Sequence, residues 1–464
     1  MEQPDVSAMD HAAKDDLIRF LLAEIAELKS RITALEICLA KDNHNSSKTP
    51  SSDGLHKSAP KSLRQAGQHS KGEQKGHKGS ALERVAKPDH VVNHPLPATC
   101  DACGSPLDDA HVSEARQVFD IPPQQVDVTE HRVLEAHCTC GKVHRSDFPE
   151  GVTATTQYGP RVQVTVVYLT QHHMLPILRT TRILRDTCGE TLSPGTVVRM
   201  IRTAAGNLTP TIAHIADAVQ SARVAHFDET GMRVAGKLHW LHTAATPNMT
   251  RVSMHTRRGQ EAFDAFGILP KFQGTAIHDG WAPYRKYGSL HGLCNAHHLR
   301  ELTMVHELYG QRWAKGMFDL LIAANREVAD GPITDDRVVQ ISAGYTAILA
   351  KGDSVHPIRR RKDGSAQRGQ STPANLLRRL RKHREDVLRF LSDPEGPFSN
   401  NIAEQAVRMP KVKQSISGCF RTFDGAAAFC TIRSYLEILR KQSVDLLHAL
   451  VQSFQGKTTQ ATMG

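Results

Sequence analysis

The sequence has no long apolar run. Nowhere does it approach the roughly 18 uncharged apolar residues that a bilayer-spanning helix needs, and its mean hydropathy is −0.39, so a helical membrane protein is not expected. The opening Met1-Glu2-Gln3 lacks the basic-then-apolar order of a secretory signal, and the expected location is the cytoplasm. Disulfides are equally unprovided for: nine cysteines is an odd number, in a long chain expected in a reducing compartment. Acidic residues are also in deficit. Forty-eight Asp plus Glu against 58 Lys plus Arg leave a net charge of +10, which favours polyanionic partners. What remains is a chain of 464 residues, 39% hydrophobic, large enough for two to four domains with real cores.

The excess charge is concentrated. Residues 54–87 carry eight basic and two acidic side chains, and residues 351–389 carry twelve and four. Everything outside these two segments is net acidic. A solvated face is the ordinary reading of a basic run; a polyanion contact is the alternative.

The N-terminal 42 residues carry a heptad seam. Ile18, Ile25, Ile32 and Leu39 recur every seven positions, with Leu21, Leu28 and Leu35 three residues on. Isoleucine at one seam position and leucine at the other favours a parallel dimer, and Glu24 with Lys29, and Arg31 with Glu36, are attractive pairs across such a coil. An amphipathic helix packed on its own chain is the other reading. Residues 43–87 follow, rich in Ser, Gly, Lys and His and short of large apolar side chains. Such a segment cannot bury a core; it reads as a linker that orders on DNA, with Lys48, Lys57, Lys61, Lys71, Lys75 and Lys78 meeting phosphates.

Residues 88–151 read as a small zinc module. Cys100 and Cys103 sit on a CDACG turn, and Cys138 and Cys140 on a CTCG turn after two expected strands at 115–121 and 126–136. Four thiolates make a closed tetrahedral site that stabilises so short a segment. The second pair is spaced CxC, and His137 and His144 stand as alternative ligands. Residues 152–222 read as helical, with Ser193 capping a helix and Pro194 in its first turn; a plain connector is favoured over a helix-turn-helix.

The pattern then becomes extended. Residues 223–233, 237–245 and 251–255 read as short strands, with Ala235-Gly236 as a hairpin turn, a helix at 260–266, and a further strand at 274–278 running into Asp279. Asp228 lies within the first strand, so it meets Asp279 if those strands are neighbours. Glu229 points to the opposite face, and the pattern alone does not choose between the two. Downstream, Glu404 opens a predicted helix with Arg408 and Lys411 on the same side; a surface ion pair and a catalytic acid both fit. Cys294 and His297 form a Cys-x-x-His pair that reads as a structural brace, with a second metal site as the alternative.

Taken together, these blocks resemble the insertion-sequence family sixty-six transposases of the DDE superfamily. The resemblance is carried by NSSKTPSSDG, GEQKGHKG, the paired cysteines, HFDETGMRV with GKLHWLHTAAT, IHDGWAPYRKY with LCNAHHLREL, and SNNIAEQAVRMPKVKQSISGCF. It implies a multidomain α/β protein with an RNase H-like core in two parts, 223–301 and 398–464, split by a helical insertion at 302–397. It implies Asp228, Asp279 and Glu404 as a catalytic triad holding two Mg²⁺ or Mn²⁺ ions, one structural Zn²⁺, and Glu229 on the far face. The implied activity is binding of terminal inverted repeats, strand cleavage and transfer to target DNA, on the bacterial nucleoid when bound to DNA, by a homodimer and with accessory proteins of the same element as possible partners. A catalytically idle DNA-binding repressor and a nuclease without joining activity are the alternatives. Gln405, Lys413-Gln414 and His298-Leu299-Arg300 depart from the family pattern, which leaves open which cations, among them Arg408, Lys411 and Lys413, contact DNA.

Overall fold

A computed structural model describes residues 10–41, 82–108, 111–357, 370–393 and 395–457. It begins with one long helix, α1 (His11–Leu39), whose N-cap Asp10 accepts the Ala13 amide. The seam residues Ile18, Leu21, Ile25, Leu28, Ile32, Leu35 and Leu39 are all exposed on it. Next comes a two-stranded antiparallel hairpin, β1 (Glu135–His137) with β2 (Val143–Arg145). The longer strands expected at 115–121 and 126–136 do not form. Val118 and Val128 there are about nine-tenths exposed, and β-branched residues without a partner strand have nothing to pack against.

Helices α2 (Pro160–Val167), α3 (Ile177–Cys188) and α4 (Pro194–Gln220) follow, with a turn of π-helix at Tyr168–His172. As expected, Ser193 caps α4 by accepting the Thr196 amide at 3.0 Å, with Pro194 at its start. Nine α4 residues, from Val197 to Val219, are buried, most of them apolar and in the main core, so the helix is an integral wall of the protein.

The central sheet consists of β3 (Val224–Val234), β4 (Lys237–Ala245), β5 (Thr250–His255), β6 (Thr275–His278) and β7 (Leu290–Leu293), in the order β5-β4-β3-β6-β7. The first three are antiparallel neighbours, and β3, β6 and β7 are parallel. Ala235 and Gly236 form the hairpin turn between β3 and β4, with φ of 49° and 76°. Positive φ at both loop positions matches the twist of the flanking strands. Helix α5 (Gln260–Phe266) connects β5 to β6. The strand β7 was not expected from sequence: LHGL is short, contains glycine and lacks alternation.

Beyond the sheet lie α6 (Asn295–Tyr309), α7 (Arg312–Asp330), α8 (Asp335–Val355), α9 (Thr372–Lys382) and the single turns α10 (Arg384–Val387) and α11 (Arg389–Ser392). They share their own core, centred on Leu302, Met317, Leu321, Tyr345 and Leu380. The chain then returns to the sheet through α12 (Asn401–Ser417), α13 (Phe423–Lys441) and α14 (Leu446–Phe454). The main core packs α2, α4, α13 and α14 against Ala225, Phe227, Ala244 and Ala276 on one face of the sheet. A third cluster, with Met232, Val234, Leu241, Phe420 and Phe429, closes the far end.

Candidate active site and zinc-finger module

Strand parity decides which acid faces where. In the parallel pair, Ala225 lies beside Ala276 and His226 beside Ile277; extending that register by two residues sets Asp228 level with Asp279, just past the end of β6. Ala225, Phe227 and Ala276 belong to the main core. Alternation therefore turns His226 and Asp228 to the other face, over which α12 packs. Asp228 is partly buried and Asp279 exposed. Burial pushes the Asp228 carboxyl well above the ordinary range, and the charges of Glu229, Asp279 and Glu404 push it the same way. Asp279 is fixed by its turn: its Oδ1 accepts the Trp281 amide at 2.8 Å. The preceding His278 accepts the Gly280 amide at Nδ1. Its Nε2 proton is thereby directed to His291, 3.1 Å away.

Glu404 sits in the first turn of α12, and its position is set from β3 and β7. Asn400, just ahead of the helix, is buried. Its Oδ1 accepts from His226 Nδ1 at 2.9 Å, and its Nδ2 donates to the Phe227 carbonyl at 2.8 Å. The Asn400 amide donates to Cys294 Sγ at 3.2 Å. Cys294 Sγ lies 3.6 Å from Glu404 Oε1, His297 Nδ1 lies 3.7 Å from the same oxygen, and Arg300 Nη2 lies 3.9 Å from Oε2. Three carboxylates thus arrive on one face from three elements, but their oxygens are not gathered within 4.8 Å. Among the described residues, the group that close is Cys294, His297 and Glu404.

Glu229 has a different setting. It accepts from Arg258 Nη2 at 2.6 Å and Nε at 2.9 Å, and from the Tyr284 hydroxyl. Tyr284 is part of the main core. The Arg258 guanidinium lies 4.0 Å from the Trp281 ring and 4.9 Å from that of Trp240. Glu229 is consequently an internal anchor that ties β3 to the loop after Asp279.

The expected DNA-contacting cations divide. Arg408 is exposed on α12. Lys411 donates to the Gly231 carbonyl, and burial lowers its proton affinity. Lys413 lies 4.0 Å from the Phe420 ring, donates to Ser417 at 3.1 Å, and is lowered by burial to about 8. The latter two fasten α12 to β3 and to the third core cluster. In the basic insertion, Arg379 pairs with Glu301 and Arg381 with Asp353, while Arg389 donates to the His291 carbonyl at 3.2 Å. Part of that positive segment is therefore paired with other groups of the same chain. Lys48, Lys57, Lys61, Lys71, Lys75 and Lys78 lie outside the described residues.

In the small module, both cysteine pairs sit on tight turns. Cys100 accepts the Gly104 amide and Cys138 the Gly141 amide through their carbonyls, each at 2.9 Å. Both glycines have positive φ, 74° and 86°, a conformation in which glycine avoids the steric penalty of a Cβ. Hydrogen bonding around Ser105 and Cys100 lowers the Cys103 thiol, and contacts with Cys140 lower that of Cys138. The donor chemistry fits Zn²⁺: four accessible thiols on two amide-rich turns. No three of the four sulfurs come within 4.8 Å of one another.

Asn400, His226, and Arg258 and Tyr284 as the partners of Glu229 were not singled out from sequence. The signal for Asn400 was its place beside the helix start in SNNIAEQ. The others depend on strand order, which no local pattern encodes.

Comparison with known families accounts for most of the chain. The family model described as "Transposase IS66 family" matches residues 155–428. One described as "zinc-finger binding domain of transposase IS66" matches residues 97–141, spanning both cysteine pairs. Residues 1–83 match a "Family of unknown function (DUF6444)". No curated protein matches the chain. Among the described residues, no helix is long and apolar enough to cross a membrane.

Proposed function

The chain belongs to the IS66 transposase family, with the family's zinc-finger domain, and on that premise we propose that it cuts and joins DNA through Asp228, Asp279 and Glu404. The observation that carries this reading is the common face: neighbouring parallel strands set Asp228 level with Asp279, α12 brings Glu404 over the same face, and both other carboxylates raise the proton affinity of Asp228. The sheet order, three antiparallel strands continued by two parallel ones with helices on both sides, supports an RNase H-like core.

The donor set fits hard dications in its chemistry, because all three side chains on this face offer only oxygen ligands. Two Mg²⁺ or Mn²⁺ ions bound there would supply activation of the attacking oxygen and stabilisation of the departing one. The protein's part is placement. Asn400, held by His226 and Phe227, fixes the first turn of α12; Cys294 and His297 brace Glu404 from α6; Arg300 faces its second oxygen. The turn held by His278 presents Asp279. Exposed Arg408, and the basic residues of the linker, offset the acidic face toward phosphates. The exposed seam of α1 suits a parallel homodimer, which brings two transposon ends together, and accessory proteins of the same element are further partners.

The test is Mg²⁺-dependent strand transfer on DNA carrying the element's terminal inverted repeats. Asp228→Asn, Asp279→Asn and Glu404→Gln should each abolish transfer while end binding persists. Transfer retained by any one of them removes that residue from the triad. Nicked but unjoined products from the parent chain would instead mark a nuclease, and end binding without nicking would mark a repressor.

A further inference from the structure

The face that holds the proposed triad also contains a group of different chemistry. Cys294 follows β7 at the N-cap of α6, His297 lies in the first turn of α6, and Glu404 in the first turn of α12. Their ligand atoms lie within 4.8 Å of one another. Two of the edges are 3.6 Å from sulfur to Oε1 and 3.7 Å from His297 Nδ1 to Oε1. A tetrahedral Zn²⁺ with bonds of about 2.3 Å to sulfur and about 2.0 Å to nitrogen and oxygen has edges of roughly 3.5 and 3.3 Å, so these two edges need shifts of only a few tenths of an ångström.

Three further observations point to a ligand. His297 Nδ1 is buried and makes no hydrogen bond, although it is aimed at the other two groups. The Asn400 amide donates to the sulfur at 3.2 Å, an arrangement that also suits a metal-bound thiolate. Arg300 faces Glu404 Oε2, which leaves Oε1 turned toward Cys294 and His297.

We propose that Cys294, His297 and Glu404 form a second transition-metal site, for Zn²⁺ or a similarly soft dication, with three protein ligands and one open position. It is separate from the zinc finger. One thiolate, one carboxylate and a neutral imidazole balance the dication's charge. Burial and the Glu404 charge push the Cys294 thiol up to about 12, so binding displaces its proton to solvent. The site stands on its own geometry. Its consequence rests on the proposed triad: a soft ion held by Oε1 takes Glu404 away from hard-metal chemistry, so zinc at this site opposes Mg²⁺-dependent strand transfer.

The experiment is metal analysis of the full-length chain after loading with zinc and removal of free metal. The expected content is about two zinc ions per chain, one at each site. His297→Gln and Cys294→Ala should each lower it to about one, and Cys100→Ser with Cys103→Ser should also leave about one. Co²⁺ loaded into the Cys100, Cys103 double variant should still give a thiolate charge-transfer band that His297→Gln removes. His297→Gln changes a less buried residue than Cys294, so it keeps the test valid if Cys294→Ala fails to fold. A zinc content unchanged by both Cys294→Ala and His297→Gln, with no Co²⁺ band in the double variant, would overturn the proposal. Loss of transfer in Glu404→Gln alongside that result would leave the triad standing without the soft site. Two zinc ions in the parent with transfer retained in Glu404→Gln would leave the soft site without the triad.

Discussion

Asp228 and Glu229 are consecutive residues of one strand, and their surroundings could hardly differ more. Glu229 faces the main core, where Arg258 and the Tyr284 hydroxyl satisfy both its oxygens. Asp228 faces α12, and the charges that act on it come from other carboxylates. Burial raises the proton affinity of both. Only Glu229 is compensated by a protein cation, which makes it part of the scaffold. Asp228 has no such cation beside it among the described residues, as its proposed metal-binding role requires. The contrast teaches that an acid in a transposase core is better assigned by its counter-charge than by its burial.

The largest effect should come from Asp279, the acid that shares the face with Asp228. Asp279→Asn should cut Mg²⁺-dependent strand transfer by more than the ~10 to 100-fold that loss of an outer-shell partner costs, as read from single-turnover assays at saturating DNA. A smaller loss would move Asp279 out of the first coordination sphere. Next is Glu229→Gln, which strands Arg258 without its partner. Because Arg258 is about a third exposed, the cost should be discounted to about 1–2 kcal/mol of unfolding free energy, measurable by urea titration. An unchanged midpoint would deny the anchor.

A pH dependence should separate the two acids further. Asp228 keeps its proton to higher pH when folded than when unfolded. Between the ordinary carboxylate range and that raised value the folded state binds more protons, so stability falls as pH rises. Asp228→Asn should therefore flatten the decline in melting temperature as pH rises above the ordinary carboxylate range; an equally steep decline would place the strain elsewhere. The smallest effect is expected at Lys413. Replacing it with Gln should cost about 0.5–1 kcal/mol through loss of the contact with Phe420 and leave the salt dependence of DNA binding unchanged. A shallower salt slope would return Lys413 to the DNA-contacting set.

Much of the sheet was legible because its signals are local. Alternation in HFDETGMRV, the two-residue Ala235-Gly236 turn and the apolar run before Asp279 each mark a strand without reference to anything distant. The opposite orientation of Asp228 and Glu229 follows from period two alone. What was not legible depends on partners. β7 exists because Leu290–Leu293 pair with β6, whereas Val118 and Val128, better strand formers, find no partner and stay exposed. The same limit applies to the cations. Lys411, Lys413, Arg379 and Arg381 look like a DNA-facing surface in the sequence, and the fold engages each with a carbonyl, ring or carboxylate of the same chain. The brace on Glu404 was half visible, as the Cys-x-x-His pair. Its other half, Asn400 bridging His226 and Cys294, needs the strand order.

The most direct test sets the two neighbours side by side: Mg²⁺-dependent strand transfer by Asp228→Asn and Glu229→Gln, normalised to the folded fraction and to end binding. The account predicts transfer abolished in Asp228→Asn and close to parental in Glu229→Gln. Transfer retained in Asp228→Asn, or abolished in a folded Glu229→Gln, would contradict it.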